Sequence, residues 1–237
     1  MKISVFSFLL ISFNVCAQQY GKIEYSRYSD SVPHSEINVT LSDSIYNYVQ
    51  STLTFIYFDD CNNCDARAHI MAAAIEKRFP GVNVSKAWMF AEYKLASMAE
   101  KYRFKKNNYL TSDEECSSWG YHVAPMIIFA HSNRKDTIVI DPSTQDAAVP
   151  LSKWMAVLLP KNESAYLIIK EKKYFSFPDD EYKKFEDMKE IWNDDENKQL
   201  LDEDYSISIR KIFTSRNVYW DPWTYRNYIS EIKDLLK

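Results

Sequence analysis

The chain is predicted to fold as an α+β protein: a cysteine-led helix packs on an antiparallel sheet, with a mostly helical extension at the C-terminal end. Three observations carry this. Thr52–Phe58 (TLTFIYF) is a β-branched and aromatic run of strand length. A helix over Cys64–Arg78 follows the turn-forming Asp59-Asp60-Cys61-Asn62-Asn63 and is stopped by Phe79-Pro80-Gly81. Tyr121–Phe129 and Thr137–Ile140 are two apolar runs separated by His131–Asp136, which reads as a hairpin turn.

Taken in order, the first 17 residues read as a secretory leader. Lys2 supplies the charged start, Ile3–Val15 the apolar run, and Val15-Cys16-Ala17 a small-residue cleavage site. The apolar stretch is short for a membrane span and no second one follows. A lipid anchor on Cys16 is the rival reading, disfavoured by the bulk of Val15 in front of it. Residues 18–51, rich in Ser, Tyr and Asn, are predicted to form an irregular lead-in. The core is expected over 52–160. Within it, Ala66, Ile70, Ala73 and Ala74 recur at helical spacing, so one face of the first helix should pack inward. Val82–Phe90 reads as a strand, Ala91–Tyr102 as helical, and Lys101–Glu115 as a charged loop. Pro125 suits an edge strand or a bulge. Residues 161–237 turn charged and aromatic, with helices expected over Asp179–Asp204 and Thr224–Lys237.

Composition bounds the function. At 237 residues, 46% of them hydrophobic and 15% aromatic, the chain can bury one substantial core. Its three glycines, Gly21, Gly81 and Gly120, leave no material for a glycine-rich phosphate loop or dinucleotide fingerprint. A net charge of −4 without a basic cluster argues against nucleic acid as a partner. Cleavage after Ala17 would leave Cys61, Cys64 and Cys116, an odd number in an oxidising compartment, so at least one thiol has no intramolecular partner.

Cys64 is the thiol placed for chemistry. It follows a strand and a polar turn and opens a helix, where backbone N–H groups and the helix dipole favour a thiolate and can stabilise an oxyanion. An inert or disulfide-bonded cysteine is the competing reading of that position. A thiolate nucleophile needs a histidine. His69 lies five residues along the helix, a rotation of roughly 140°, and faces away; it is expected to be packed or hydrogen-bonded inside the fold. His34 sits in the lead-in and His131 at the turn tip, which leaves His122. The hairpin sets His122 opposite Asp141 or its neighbour Ser143, with cross-strand Cβ atoms roughly 5 Å apart. An aspartate that holds the histidine tautomer completes a thiol–imidazole–carboxylate set. Asp141 also reads as a plain turn residue before Pro142.

The segments Cys64-Asp-Ala-Arg-Ala-His-Ile-Met, Trp119-Gly-Tyr-His122-Val-Ala and Val139-Ile-Asp141-Pro-Ser resemble the signature of the protein-glutaminase family, the protein-glutamine deamidases. Lys86-Ala-Trp-Met-Phe and Lys94-Leu-Ala-Ser fit the same pattern, and the resemblance spans about Thr52 to Pro160. It implies a core similar to transglutaminases and papain-like proteases, with Cys64 as nucleophile, His122 as base and Asp141 as third member. It further implies hydrolysis of glutamine side-chain amides in proteins or peptides, releasing ammonia through a γ-glutamyl thioester. Water rather than lysine is the implied acceptor. No cofactor and no metal are called for, and a monomer is expected.

With Cys64 reserved for chemistry, Cys61 and Cys116 are the remaining pair. A bridge closing roughly 55 residues would contribute about 4 kcal/mol, although two reduced thiols are nearly as well supported. The segment after Pro160, including Trp220-Asp-Pro-Trp223, is expected to cap Cys64. Three other readings stay open. Cys61 and Cys64 form a CxxC at a strand–helix junction, with Pro125 available opposite it, as in a thioredoxin-like oxidoreductase. Cys61, Cys64 and Cys116 with a histidine would make a zinc site, although the second ligand pair that makes such assignments strong is missing. A secreted binding module with Trp220 and Trp223 as its surface is the non-enzymatic reading.

Overall fold

The computed structural model describes residues 22–28, 35, 39–53, 63–95, 119–131, 134–159, 164–176, 200–201, 205, 209 and 222–236. Six strands form the main sheet: β1 (Lys22–Tyr28), β2 (Val84–Leu95), β3 (Trp119–His131), β4 (Arg134–Val139), β5 (Val149–Pro150) and β6 (Ser164–Glu171). Their spatial order is β1-β6-β2-β3-β4-β5, antiparallel throughout except where β1 runs parallel to β6. A separate ribbon pairs β7 (Tyr174–Ser176) with β8 (Leu200–Leu201). Four helices accompany them: α1 (Val39–Thr52), α2 (Cys64–Arg78), α3 (Leu151–Leu158) and α4 (Pro222–Leu236).

The sheet is buried on both faces, which explains why its strands read as continuous apolar runs rather than as alternating patterns. One face presents Val84, Trp88, Phe90, Val123, Ile127, Phe129, Tyr166 and Ile168 to α2, with Ile45 of α1 and Ile232 of α4 in the same core. The other presents Ala87, Met89, Ala124, Met126, Ile128 and Leu167 to Trp154 and Leu158 of α3. Each large side chain sealed in either core contributes about 1.5–3 kcal/mol relative to exposure.

Several expectations change here. The lead-in is not irregular, because it supplies β1 and α1. Thr52 ends α1 rather than starting a strand; the rest of Thr52–Phe58, beyond Leu53, lies outside the described residues. Helix α2 is buried on every side from Cys64 to Ile75, not on one face, because α1, α4 and the sheet surround it. Its alanines leave room for that enclosure. Strand β2 continues through Ala91–Leu95, where a helix was expected; residues 96–102 and the loop after them are not described. The strands extend further into the hairpin than its polar composition suggests, with His131 pairing Arg134, so His131 and Arg134–Asp136 of the expected turn belong to β3 and β4. Leu200 and Leu201 are in strand, inside the segment expected to be helical. The C-terminal helix forms over Pro222–Leu236 as anticipated. The largest difference is Ser164–Glu171, read as part of a helical extension and found as β6, an interior strand between β1 and β2.

Pro125 lies in β3, an interior strand, and not at an outer edge of the sheet. Its carbonyl accepts from the N–H of Ile140 at 2.9 Å, so the side of its backbone that lacks a donor faces β4. The β3–β4 ladder starts at Met126–Val139. A proline at that point withholds the next rung and lets the chain leave the sheet just before Asp141.

Candidate active site

Helix α2 begins at Cys64, and the residue before it, Asn63, has φ 60 and ψ 31. Asn tolerates this left-handed conformation better than other residues with a Cβ. The Asn63 carbonyl accepts from the N–H of Arg67 at 3.0 Å, closing the first turn with Cys64 in it. Asp65, buried in that turn, accepts the N–H of Ala66 at 2.8 Å and complements the positive helix end. Cys64 is buried and is the free cysteine among the described residues. Cys61 and Cys116, whose bridge was expected, lie outside them, as does Trp220.

His122 and Asp141 meet as the hairpin register implied. The pairing of Met126 with Val139 carries β3 past the end of β4, and the chain turns into residues 141–145 beneath His122. His122 Nε2 donates to Asp141 Oδ2 at 2.8 Å, with both side chains buried. Asp141 cannot donate as a carboxylate, which keeps the proton on Nε2. The Cys64 thiol is close enough to the imidazole to act on it electrostatically. The structure thus brings together all three residues singled out in the sequence. They sit where the two cores meet, since Cys64 belongs to the α2 side and the ring of His122 lies 5.9 Å from that of Trp154 on the α3 side.

Burial alone would push the His122 pKa down; the charge and hydrogen bond of Asp141, then those of Cys64, outweigh it and raise the value to about 9. Burial likewise works against ionisation of Asp141, and His122 together with Ser143 and Thr144 overcomes it, holding the carboxyl well below the usual range. The stable state of the pair is an imidazolium on a carboxylate.

Asp141 is the most heavily bonded side chain in the site. Oδ1 accepts from the Ser143 N–H at 3.2 Å and from the Ser143 hydroxyl. Oδ2 accepts from His122, from the Thr144 hydroxyl and from Trp154 Nε1 at 2.8 Å. The Asp141 carbonyl takes the N–H groups of Thr144 at 3.1 Å and Gln145 at 2.9 Å. Helix α1 fixes the far end of this turn, where the Tyr46 hydroxyl donates to the Gln145 carbonyl at 2.7 Å. Tyr46 is kept protonated by burial, with the negative charges of Asp146 and Asp141 adding to it.

Thr144, Trp154 and Tyr46 were not anticipated from the sequence. Thr144 had a local signal, since Asp-Pro-Ser-Thr is a run in which hydroxyls fold back on the aspartate. Tyr46 and Trp154 had none, being brought in by helices packed from opposite sides of the sheet.

His69 is buried on α2 and its Nδ1 meets Lys86 Nζ at 2.9 Å, with the Tyr205 ring 4.8 Å away. It has the internal, hydrogen-bonded place expected of it. Among the described residues no three His, Cys, Asp or Glu side chains converge as a metal site would require. No described helix is long and apolar enough to cross a membrane.

A sequence profile described as glutaminase matches residues 34–158, more than half of the chain and the whole of the stretch that builds this site. The fold is similar to that of a protein-glutaminase crystal structure at TM-score 0.51 and 16% identity, covering 76% of this chain and 88% of that one. It also aligns with the solution structure of protein-glutaminase from Chryseobacterium proteolyticum at TM-score 0.43 and 17% identity, over 73% of this chain and 84% of that one. A pro-protein-glutaminase crystal structure aligns at TM-score 0.45 and 18% identity, over 62% and 52% of the two chains. No curated protein matches the chain.

Proposed function

Because the chain belongs to the glutaminase family, we propose that it is an exported cysteine hydrolase that deamidates glutamine side chains of proteins or peptides. The observation that carries this reading is the buried His122 held by Asp141, with Cys64 acting on the same ring, inside the stretch the family profile covers. The reading includes a transglutaminase-like, papain-like core in which Cys64 is the nucleophile, His122 the acid and base, and Asp141 the orienting group. It is supported by the helix-start position of Cys64 and by the bonding of the pair.

The reactive form of the proposed site pairs a Cys64 thiolate with a His122 imidazolium. The thiolate attacks the carboxamide carbon of glutamine, and the carbonyl oxygen takes up the electron pair. In this reading the positive end of α2 stabilises that oxyanion. As the carbonyl re-forms, the C–N bond breaks and His122 gives its proton to the departing nitrogen, which leaves as ammonia. The product is a γ-glutamyl thioester on Cys64. His122, now neutral, takes a proton from water, and the resulting hydroxide attacks the thioester carbon. The C–S bond breaks, glutamate leaves, and thiolate and imidazolium are restored.

Export rests on the leader read over residues 1–17 and belongs to the proposal. The deciding experiment measures ammonia release from a glutamine-containing protein and from free glutamine, with Cys64→Ala as control. Release from the protein substrate that disappears in Cys64→Ala supports the reading. No release, or release unaffected by Cys64→Ala, overturns it.

A further inference from the structure

One oxygen of the site carries more than its share of donors. Asp141 Oδ2 accepts from His122 Nε2, from the Thr144 hydroxyl and from Trp154 Nε1. A carboxylate oxygen has two in-plane lone pairs, so three donors compete for its charge. Thr144 comes with the turn, three residues on from Asp141. Trp154 comes from α3, is fully buried, and packs its ring 5.9 Å from that of His122. An indole N–H can only donate, and its bond to an ion is of the strong, charge-assisted kind. Apolar packing would be served as well by a phenylalanine, so the N–H needs a reason of its own.

We infer that Trp154 is a positioning residue that limits how much negative charge Asp141 presents to His122, and so tunes the imidazolium as an acid. The inference rests on the proposed chemistry of Cys64 and His122, which makes two opposed demands on one ring. The imidazolium must persist beside the thiolate, which favours a strong carboxylate partner. It must also release its proton to the leaving ammonia, which favours a weak one. A donor on Oδ2 drains charge from the atom that holds the imidazolium, while fixing that atom in place. Among the described residues the ionisable groups acting on His122 are Asp141 and Cys64, and those acting on Tyr46 are Asp146 and Asp141. Trp154 adjusts the first of these without adding a charge.

The test is an NMR titration of the His122 ring to high pH in wild type and in Trp154→Phe, beside steady-state kinetics on a glutamine-containing protein. Loss of the N–H is expected to raise the His122 midpoint by about half a pH unit or more. It should lower kcat about tenfold or more, with KM within about threefold. A purely structural tryptophan would lower the melting temperature and leave the ring midpoint unmoved. An unmoved or lowered midpoint overturns the inference. The ring titration needs no substrate, so a wild-type protein that releases no ammonia sinks the glutaminase reading while the midpoint still decides Trp154. Should Trp154→Phe fail to fold, the benzothienyl isostere of Trp154, which keeps the shape and lacks the N–H, goes through the same titration.

Discussion

Two histidines in this protein, His69 and His122, are each 1% exposed, and both make a hydrogen bond shorter than 3 Å to a charged side chain. Their partners are of opposite sign. Lys86 offers His69 only donors, so the Nδ1 lone pair of His69 is occupied by an ammonium and the ring is held as a neutral acceptor against Tyr205. Asp141 offers His122 only acceptors, so Nε2 keeps its proton, and Cys64 acts on the same ring. A base needs a ring nitrogen aimed at the nucleophile and an anion behind it. His69, on the same helix as Cys64 and far closer in sequence, has a lysine on its Nδ1 instead. Burial does not separate the two histidines, whereas the charge of the partner does.

The sharpest way to break this contrast is to remove each half of the reactive pair. Cys64→Ser and His122→Ala are each expected to lower ammonia release by about a thousandfold or more while the protein stays folded, and the two losses should not add. Release within about tenfold of wild type in either variant would mean that the chemistry lies elsewhere. Asp141→Asn should cost on the order of a hundredfold or more in kcat, because an amide can present its N–H to Nε2 and favour the wrong tautomer. Full activity in Asp141→Asn would reduce Asp141 to a turn residue.

His69→Ala should do the reverse. It opens a cavity in the α2 core and removes one hydrogen-bond partner of Lys86, at a cost of about 2–3 kcal/mol in stability. Turnover per folded molecule should stay within about twofold, read from denaturant melts beside active-site titration with an alkylating agent. A His69→Ala protein with normal stability and lost turnover would reverse the roles given to the two histidines.

The smallest expected effect is on the pH dependence of folding. His122 has its pKa raised to about 9 in the fold, so the stability it brings is complete below about 6.5 and is lost as pH rises through about 9. Asp141 is depressed, so its contribution is complete above about 4 and fades as pH falls further. Urea midpoints should therefore be highest between about pH 4 and 6.5. His122→Gln should flatten the alkaline slope, and His69→Ala should leave that slope as it is. A slope unchanged in His122→Gln would show that the ion pair is not what the pH acts on.

The parts of the site legible in the sequence are those written in short stretches. A helix start after Asn62-Asn63 places Cys64, and a hairpin turn sets which residue of one strand lies near which residue of the next. The reading of α2 erred in degree: Ala66, Ile70, Ala73 and Ala74 mark one face, while the helix is enclosed on all sides. That enclosure depends on α1 and α4, which no local pattern in α2 can report. The composition after Pro160 misled for a similar reason. SAYLIIKE is flanked by charged residues, and its place between β1 and β2 is decided by two partners, one far upstream and one across the sheet.

The sequence by itself determined that Cys64 opens a helix and that His122 lies near Asp141 or Ser143, because each rests on backbone geometry within a few residues. Only the tertiary structure decided that His69 is answered by a lysine and His122 by an aspartate. It also decided that Tyr46 and Trp154 close on residues 141–145 from α1 and α3, and that β6 enters the sheet's interior. These contacts join segments separated by many residues. What selects them is the shared burial of apolar surface and the need of each buried polar atom for a partner, and neither is written in any one stretch of chain.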